Sequence, residues 1–96
     1  MKNICVIGSL NMDLVVNVDT MPKPGQTIIG SNFKEVPGGK GANQAVAMAR
    51  LNGNVSMIGK VGEDGFGQTL INSLKNDKVD TTYIQTAKGA TGVALI

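Results

Sequence analysis

Two short stretches of the sequence carry polar groups suited to binding a small molecule. Asn11 and Asp13 follow an apolar run and, two residues apart on an extended chain, project to the same side. An amide beside a carboxylate can satisfy two neighbouring hydroxyl groups, because each hydroxyl is both a donor and an acceptor. The spacing therefore predicts a site for vicinal sugar hydroxyls. The alternative is an Asx-type turn, in which these side chains bond only to the local backbone.

The second stretch is rich in glycine and runs from Gly38 to Gly41. Consecutive glycines before a helix allow the backbone to approach a ligand closely, with N–H groups at the helix start available as donors. Lys40 adds a positive charge, and Asn43 in the first helical turn adds an amide that both donates and accepts. A glycine turn that merely begins a helix is the alternative, but the neighbouring Lys40 and Asn43 favour a binding site.

Two common phosphate-binding motifs do not fit this glycine-rich stretch. A Walker A loop needs Ser or Thr after its Gly-Lys pair, where this chain has Gly41, and needs an earlier glycine where it has Lys34. A dinucleotide GxGxxG motif that began at Gly39 would have Gln44 at its third glycine, and it would not follow the first core strand. A nucleotide-binding domain of the dehydrogenase type is therefore disfavoured.

Apolar patterning predicts the α/β elements that position the two stretches. The predicted strands are 3–8, 13–18, 27–36, 55–60, 83–85 and 91–96, and the predicted helices are 42–51, ending at Asn52-Gly53, and 66–76, capped by Asp64. The first strand is expected to be buried on both faces, with Cys5 in the core. The order predicts a parallel sheet, from which residues 13–36 depart as a small separate flap. Asn11 and Asp13 then lie at the carboxyl end of a core strand, where open α/β sheets bind ligands.

Composition excludes several classes of protein. The chain has no His, which rules out a Ser–His–Asp relay or an HExxH zinc site within it, and its single Cys rules out an internal disulfide. One unpaired Cys predicts a reduced, cytoplasmic protein. A net charge of +2, with only 17% charged residues, provides no basic stripe for nucleic acid or an anionic membrane. No apolar run is long enough to cross a bilayer.

The last predicted strand, 91–96, is strongly apolar and has no polar residue after it. An unpaired apolar strand presents an edge that is prone to aggregation. We therefore expect that the chain is an N-terminal fragment, or that a partner covers this strand.

Five segments form a familiar series: GSLNMD at 8–13, MPKPGQT at 21–27, GGKGANQAVA at 38–47, GKVGEDGFG at 59–67 and TGVALI at 91–96. Together they closely resemble the N-terminal portion of the ribokinase group of the PfkB carbohydrate-kinase family. The resemblance covers the whole chain in order and spacing, and GGKGANQA is a specific string. One departure is Asn52, where the family usually has Gly or Ser, and Asn also tolerates a left-handed helix end.

This resemblance implies a Rossmann-like α/β kinase with a small β-sheet lid that closes over a sugar. Residues 1–96 would be the N-terminal part of a single such domain, with lid strands at about 13–36 and 91–96, and lids in this group commonly pair to form homodimers. By the same resemblance, the sugar hydroxyls would be bound by Asn11, Asp13, Gly39, Lys40 and Asn43, and the sugar would be covered by Ala94 and Ile96. These two stretches, 11–13 and 38–43, are therefore expected to converge on one carbohydrate.

The implied reaction transfers the γ-phosphoryl group of ATP to a sugar hydroxymethyl oxygen, with Mg²⁺ and commonly a monovalent cation such as K⁺. GGKGANQA favours D-ribose, which would give ribose 5-phosphate. The family's proton-accepting Asp belongs to a later GAGD-type motif that does not occur in these 96 residues. The resemblance therefore assigns no catalytic residue, metal ligand or ATP contact to this chain, and Asp13 is interpreted as a sugar ligand. A non-catalytic sugar-binding or oligomerising module, and a family kinase for another sugar or a nucleoside, remain alternatives.

Overall fold

The computed structural model describes residues 2–96 and shows an α/β chain that contains two small sheets. The elements, in chain order, are β1 (Asn3–Ile7), β2 (Asn11–Asn17), β3 (Ser31–Gly38), α1 (Lys40–Arg50), β4 (Asn54–Gly62), α2 (Gly65–Asn76), β5 (Ile84–Ala87) and β6 (Val93–Leu95). The α/β class, the parallel sheet and the separate small sheet are therefore confirmed.

The core sheet contains three parallel strands in the order β1-β4-β5. Helices α1 and α2 make the connections to β4 and β5 and share one buried cluster with the sheet, as expected when successive crossovers have the same right-handed sense. The cluster consists of Val6, Leu10, Met12, Ala42, Ala45, Val55, Met57, Val61, Leu70, Leu74 and Val79. The predicted stripe on α2 is confirmed, because Leu70 and Leu74 are buried, with Phe66 and Ile71 packed beside them.

The expectation that β1 is buried on both faces is wrong. Val6 is buried and Ile4 packs against the core, but Cys5 is exposed and Ile7 is 79% exposed. Since α1 and α2 lie on the same face of the core sheet, the other face is open among residues 2–96. A continuous apolar run such as β1 indicates a strand, but it does not show which face of the sheet is covered by the helices of residues 2–96.

The second sheet, here called the flap sheet, has the strand order β3-β2-β6. β2 pairs with β3 in the antiparallel sense and with β6 in the parallel sense. β3 begins at Ser31, opposite Asn17, rather than at the predicted residue 27. Within it, the ladder with β2 is irregular between Val15 and Asn17, and Asn32 takes a left-handed φ of 56°. The flap sheet extends the molecule, whose dimensions are 53 × 31 × 18 Å.

Both helices end and begin close to their predicted limits. α1 begins at Lys40, two residues before the expected start, and Asn52 beyond its end has φ 68°. The N–H of Gly53 donates to the carbonyl of Met48 at 2.9 Å, which completes the helix end. Asp64 is confirmed as the N-cap of α2, since its carboxylate accepts from the N–H of Gly67 at 2.8 Å. Neither helix among residues 2–96 has the length and apolar character needed to span a membrane.

Candidate functional site

The two polar side chains at the start of β2 form a pair. The amide Nδ2 of Asn11 donates to Oδ1 of Asp13 at 2.8 Å, and both residues are partly buried. Their spacing on an extended strand gives them the same orientation, as the sequence predicted. The hydrogen bond fixes the two side chains relative to each other before any ligand arrives.

The carboxylate of Asp13 lies against the glycine-rich stretch. A β-carbon placed on Gly38 would be 2.8 Å from Oδ1 and 3.0 Å from Oδ2 of Asp13, closer than side-chain atoms normally approach. Gly38 is also the register partner of Asn11 in the β2–β3 ladder. The stretches at 11–13 and 38–39 therefore meet, and any larger residue at position 38 would displace the Asp13 carboxylate from this position.

The passage from β3 into α1 depends on a second glycine. Gly39 has φ 105°, in the region that favours glycine, and a β-carbon there would overlap the carbonyl oxygen of Ser9. Gly39 is the N-cap of α1 and has no side chain to bond the first helical N–H groups. This helix start therefore keeps donors available beside the Asn11–Asp13 pair, with the positive end of the helix dipole directed the same way.

Close packing of α1 on β1 sets the position of the helix start. A β-carbon on Gly41 would lie 2.8 Å from the Cα of Gly8, and the N–H of Ala42 donates to the carbonyl of Ser9 at 3.2 Å. The first turn of α1 is thus held against the loop that leads into β2. Both parts of the candidate site share this one loop, residues 8–10.

Lys40 and Asn43 lie in the first turn of α1, and both are exposed. Among residues 2–96, no side-chain hydrogen bond joins either of them to Asn11 or Asp13. Asn43 instead borders a groove of about 290 Å³ between β3, α1 and α2, which Asn11 and Asp13 do not line. The structure thus brings 11, 13, 38 and 39 together and leaves Lys40 and Asn43 in the adjoining helical turn without a side-chain hydrogen bond to the pair.

The two apolar candidates lie in or next to β6, alongside β2. Ala94 is the register partner of Asp13 and is partly buried. The N–H of Ile96 donates to the carbonyl of Leu14 at 2.9 Å, and its carbonyl accepts from Val16, while its side chain is 64% exposed. Residues paired in register project to the same face of a sheet, so Ala94 shares the face of Asp13.

One polar cluster near the site was not predicted from sequence. The carboxylate of Asp64 accepts from the backbone N–H of Thr91 at 2.8 Å and from its hydroxyl at 2.6 Å, and these bonds hold the pKa of Asp64 below its ordinary value. Sequence indicated the cap at Asp64, but no local pattern relates it to a residue 27 positions away. Asp80 makes the same pair of bonds to Thr82, which likewise lower the pKa of Asp80.

The part of the chain that the structure describes has no group of three or more His, Cys, Asp or Glu side chains that could hold a metal ion. The sequence resemblance likewise assigns no ligand of Mg²⁺ or K⁺ to these residues. No step of the reaction is assigned to a metal ion held by these residues.

Comparison with known proteins gives a consistent family. The pfkB family of carbohydrate kinases matches residues 1–96. The chain is 58% identical over 85 residues to a ribokinase of Bacillus subtilis, covering 88% of this chain and 29% of that protein. It is 47% identical over 83 residues to a deoxyribokinase of Salmonella typhi, covering 86% and 27% respectively.

A solved structure shows the same fold. The Arabidopsis thaliana ribokinase complexed with ribose and ATP matches with a TM-score of 0.88 and 33% identity, covering 97% of this chain and 31% of that one. The chain thus spans about 30% of the length of the relatives it matches. Because the family match extends over every residue and the fold agrees, the chain belongs to the pfkB family of carbohydrate kinases.

Proposed function

We propose that residues 1–96 form the sugar-binding N-terminal part of a single ATP-dependent kinase domain that phosphorylates D-ribose at its hydroxymethyl oxygen. The flap sheet, with its strands from about 13–36 and 91–96, acts as the lid over the sugar. The observation that carries this proposal is the Asp13 carboxylate, bonded to Asn11 and seated against Gly38 beside the start of α1. The ribokinase and deoxyribokinase relatives support a pentose as the substrate.

The polar pair has the donors and acceptors that a vicinal diol needs. Asn11 uses one amide hydrogen on Asp13, which leaves its carbonyl oxygen and second hydrogen for a hydroxyl. Asp13 keeps acceptor capacity on both oxygens and forms charge-assisted hydrogen bonds, which are stronger than neutral ones. Two adjacent ribose hydroxyls fit this pattern better than a single hydroxyl does.

The remaining candidates complete the pocket in the proposal. The backbone of Gly39 approaches the sugar closely, and Lys40 and Asn43 turn their exposed side chains to it when it is bound. Ala94 and Ile96 cover the apolar side of the sugar from the lid. All of these residues bind and orient the sugar, which is the main protein contribution to phosphoryl transfer.

ATP, when bound, supplies the γ-phosphoryl group. None of the residues assigned above transfers a proton or contacts ATP, and a relative with ribose and ATP bound supports ATP as the donor. Mg²⁺ and K⁺ belong to the proposal as activators held outside residues 1–96. A cytoplasmic location is also part of the proposal, on the ground of the single unpaired cysteine.

A homodimer that pairs through the flap sheet is the remaining part of the proposal. Several large apolar side chains on the flap sheet are exposed, including Val16, Phe33 and Leu95. Burying them against a second copy would remove apolar surface from water. The flap sheet is therefore the surface at which we expect two copies to associate.

The proposal is tested by a coupled kinase assay on the intact protein that contains residues 1–96, with ATP and a panel of substrates. We expect D-ribose to be turned over with a kcat/KM at least about tenfold above that of 2-deoxyribose, because a site built for a hydroxyl rejects an analogue lacking it. Fructose phosphate, other pentoses and nucleosides complete the panel. A higher kcat/KM for one of these would reassign the substrate, and no turnover of any of them would count against a kinase.

Calorimetric titration with ribose in the absence of ATP separates the kinase from a non-catalytic module. Ribose binding together with turnover supports the kinase. Ribose binding by an intact protein that turns over no substrate would instead show a sugar-binding module.

A further inference from the structure

The Asp64–Thr91 cluster connects the core to the flap sheet. Asp64 caps α2 through Gly67 and also accepts two hydrogen bonds from Thr91, which lies just before β6. The Thr91 hydroxyl in turn accepts from the N–H of Gly62 at 2.9 Å, and Thr91 is only 5% exposed. Asp64 therefore ties the start of α2 to the residue that leads into the flap sheet, and the Thr91 hydroxyl ties that residue to the end of β4.

Close backbone packing fixes this connection in place. A β-carbon on Gly62 would overlap the backbone of residues 89–91, and one on Gly67 would overlap the carbonyl oxygen of Gly62. The segment before β6 thus lies directly on the backbone of β4 and α2. Such packing leaves the segment little freedom to shift while the hydrogen bonds to Asp64 are intact.

From Thr91 the connection continues to the polar pair. The carbonyl of Gly92 accepts from the N–H of Met12 at 3.0 Å. Met12 lies between Asn11 and Asp13 in the sequence, and its side chain is fully buried. The ladder continues with Asp13 opposite Ala94. The position of the segment before β6 therefore sets the position of the strand that carries Asn11 and Asp13.

We propose that Asp64 is a positioning residue for sugar binding, which acts through Thr91 and β6 on Asn11 and Asp13. This inference rests on the function proposed above. Asp64 itself lies outside the polar pair and contacts no sugar in this scheme. Its removal displaces the pair rather than deleting a contact to the sugar.

Asp64→Asn isolates the connection from the helix cap. Asn is as good an N-cap as Asp, and its oxygen in the place of Oδ1 can still accept from Gly67 and from the Thr91 hydroxyl. Its NH₂ group takes the place of Oδ2 and cannot accept from the backbone N–H of Thr91. Thr91→Val removes the hydroxyl at nearly constant shape, and Thr91→Ser retains it. We expect Asp64→Asn and Thr91→Val each to raise the ribose Kd of the intact protein about tenfold, and Thr91→Ser to bind nearly as the wild type does.

Asp80→Asn is the matched control. Asp80 also accepts from the N–H and hydroxyl of a nearby Thr, here Thr82 and both at Oδ1, while its Oδ2 accepts from Ser56. It lies toward the opposite end of β4 from Gly62. We expect the Asp80→Asn protein to bind ribose with the same Kd as the wild type. The KM for ribose should rise in the Asp64→Asn enzyme while the KM for ATP stays constant, a split that a general loss of stability would not produce.

The outcomes distinguish the inference from the function on which it rests. A wild-type protein that does not bind ribose would overturn both. Ribose binding that Asp13→Ala weakens but Asp64→Asn and Thr91→Val leave unchanged, even with a lower melting temperature, would overturn only the positioning role. If Asp64→Asn fails to fold, the Thr91→Val and Thr91→Ser pair decides by itself, since equal affinities in these two variants contradict the inference.

Discussion

At the Asn11–Asp13 pair, a single hydrogen bond determines which polar atoms remain for a ligand. Because Asn11 donates to Asp13, the Asn11 carbonyl faces away from Asp13 and its orientation is fixed by the network. The Asp13 carboxylate occupies the space that Gly38 leaves free beside it. A ligand that binds here meets a prearranged set of acceptors, which lowers the entropy cost of ordering them.

Asp13→Ala is expected to weaken ribose binding at least tenfold in the intact protein. The substitution removes a charge-assisted hydrogen bond that contributes roughly 1.5–3 kcal/mol. Isothermal titration calorimetry without nucleotide measures the effect. Asp19→Ala, which removes an exposed carboxylate just beyond the end of β2, is the control and should bind as the wild type does. An unchanged affinity in Asp13→Ala would leave Asp13 with a structural role in β2 only.

At the residue scale, the sequence predicted those features of the site that depend only on the spacing of nearby residues. The common orientation of Asn11 and Asp13 follows from the two-residue period of a strand, and the Asp64 cap follows from its place before an apolar helix. The bonds from Thr91 to Asp64 depend on tertiary contact across 27 positions, so no local pattern predicts them. The burial of Cys5 was predicted wrongly for the same reason, since it depends on which sheet face is covered.

At the scale of elements, α1 is positioned by a contact between two backbones. Gly41 in its first turn meets Gly8 at the end of β1, and only a pair of glycines allows this approach. Sequence predicted a helix rich in small residues but began it two residues late. The glycines around Lys40 and Gly41 give no sequence signal for a helix, and packing on residues 8–10 brings both residues into the first turn.

Gly41→Ala is expected to lower the free energy of unfolding by about 1–3 kcal/mol, despite the higher helix propensity of Ala. Its β-carbon would lie 2.8 Å from the Cα of Gly8, so α1 has to move away from β1. Denaturant unfolding of the intact protein gives the measurement. In the control, Gly65→Ala at the start of α2, nothing lies within 4 Å of the new β-carbon, and stability should rise by up to about 1 kcal/mol. Equal effects of the two substitutions would contradict the close contact.

For the whole molecule, the exposed apolar surface of the flap sheet predicts association. Leu95→Ser is expected to raise the dimer dissociation constant at least about tenfold, because a buried Leu contributes about 1.5–3 kcal/mol. Sedimentation equilibrium measures this constant. Leu51→Ser is a matched control, since Leu51 at the end of α1 is exposed to the same 82% as Leu95 but lies outside the flap sheet. A monomeric wild type, or equal effects of both substitutions, would argue against dimerisation through the flap sheet.

The chain passes between the two sheets three times, at residues 8–10, at 38–39 and at 88–92. All three connections lie at the same end of the flap sheet, next to the core sheet. Asn11 and Asp13 lie next to these connections, whereas the turn at 22–25 lies at the opposite end of the flap sheet. In the proposed function, where the flap sheet is the lid, a movement about these connections would displace the turn at 22–25 most and the polar pair least.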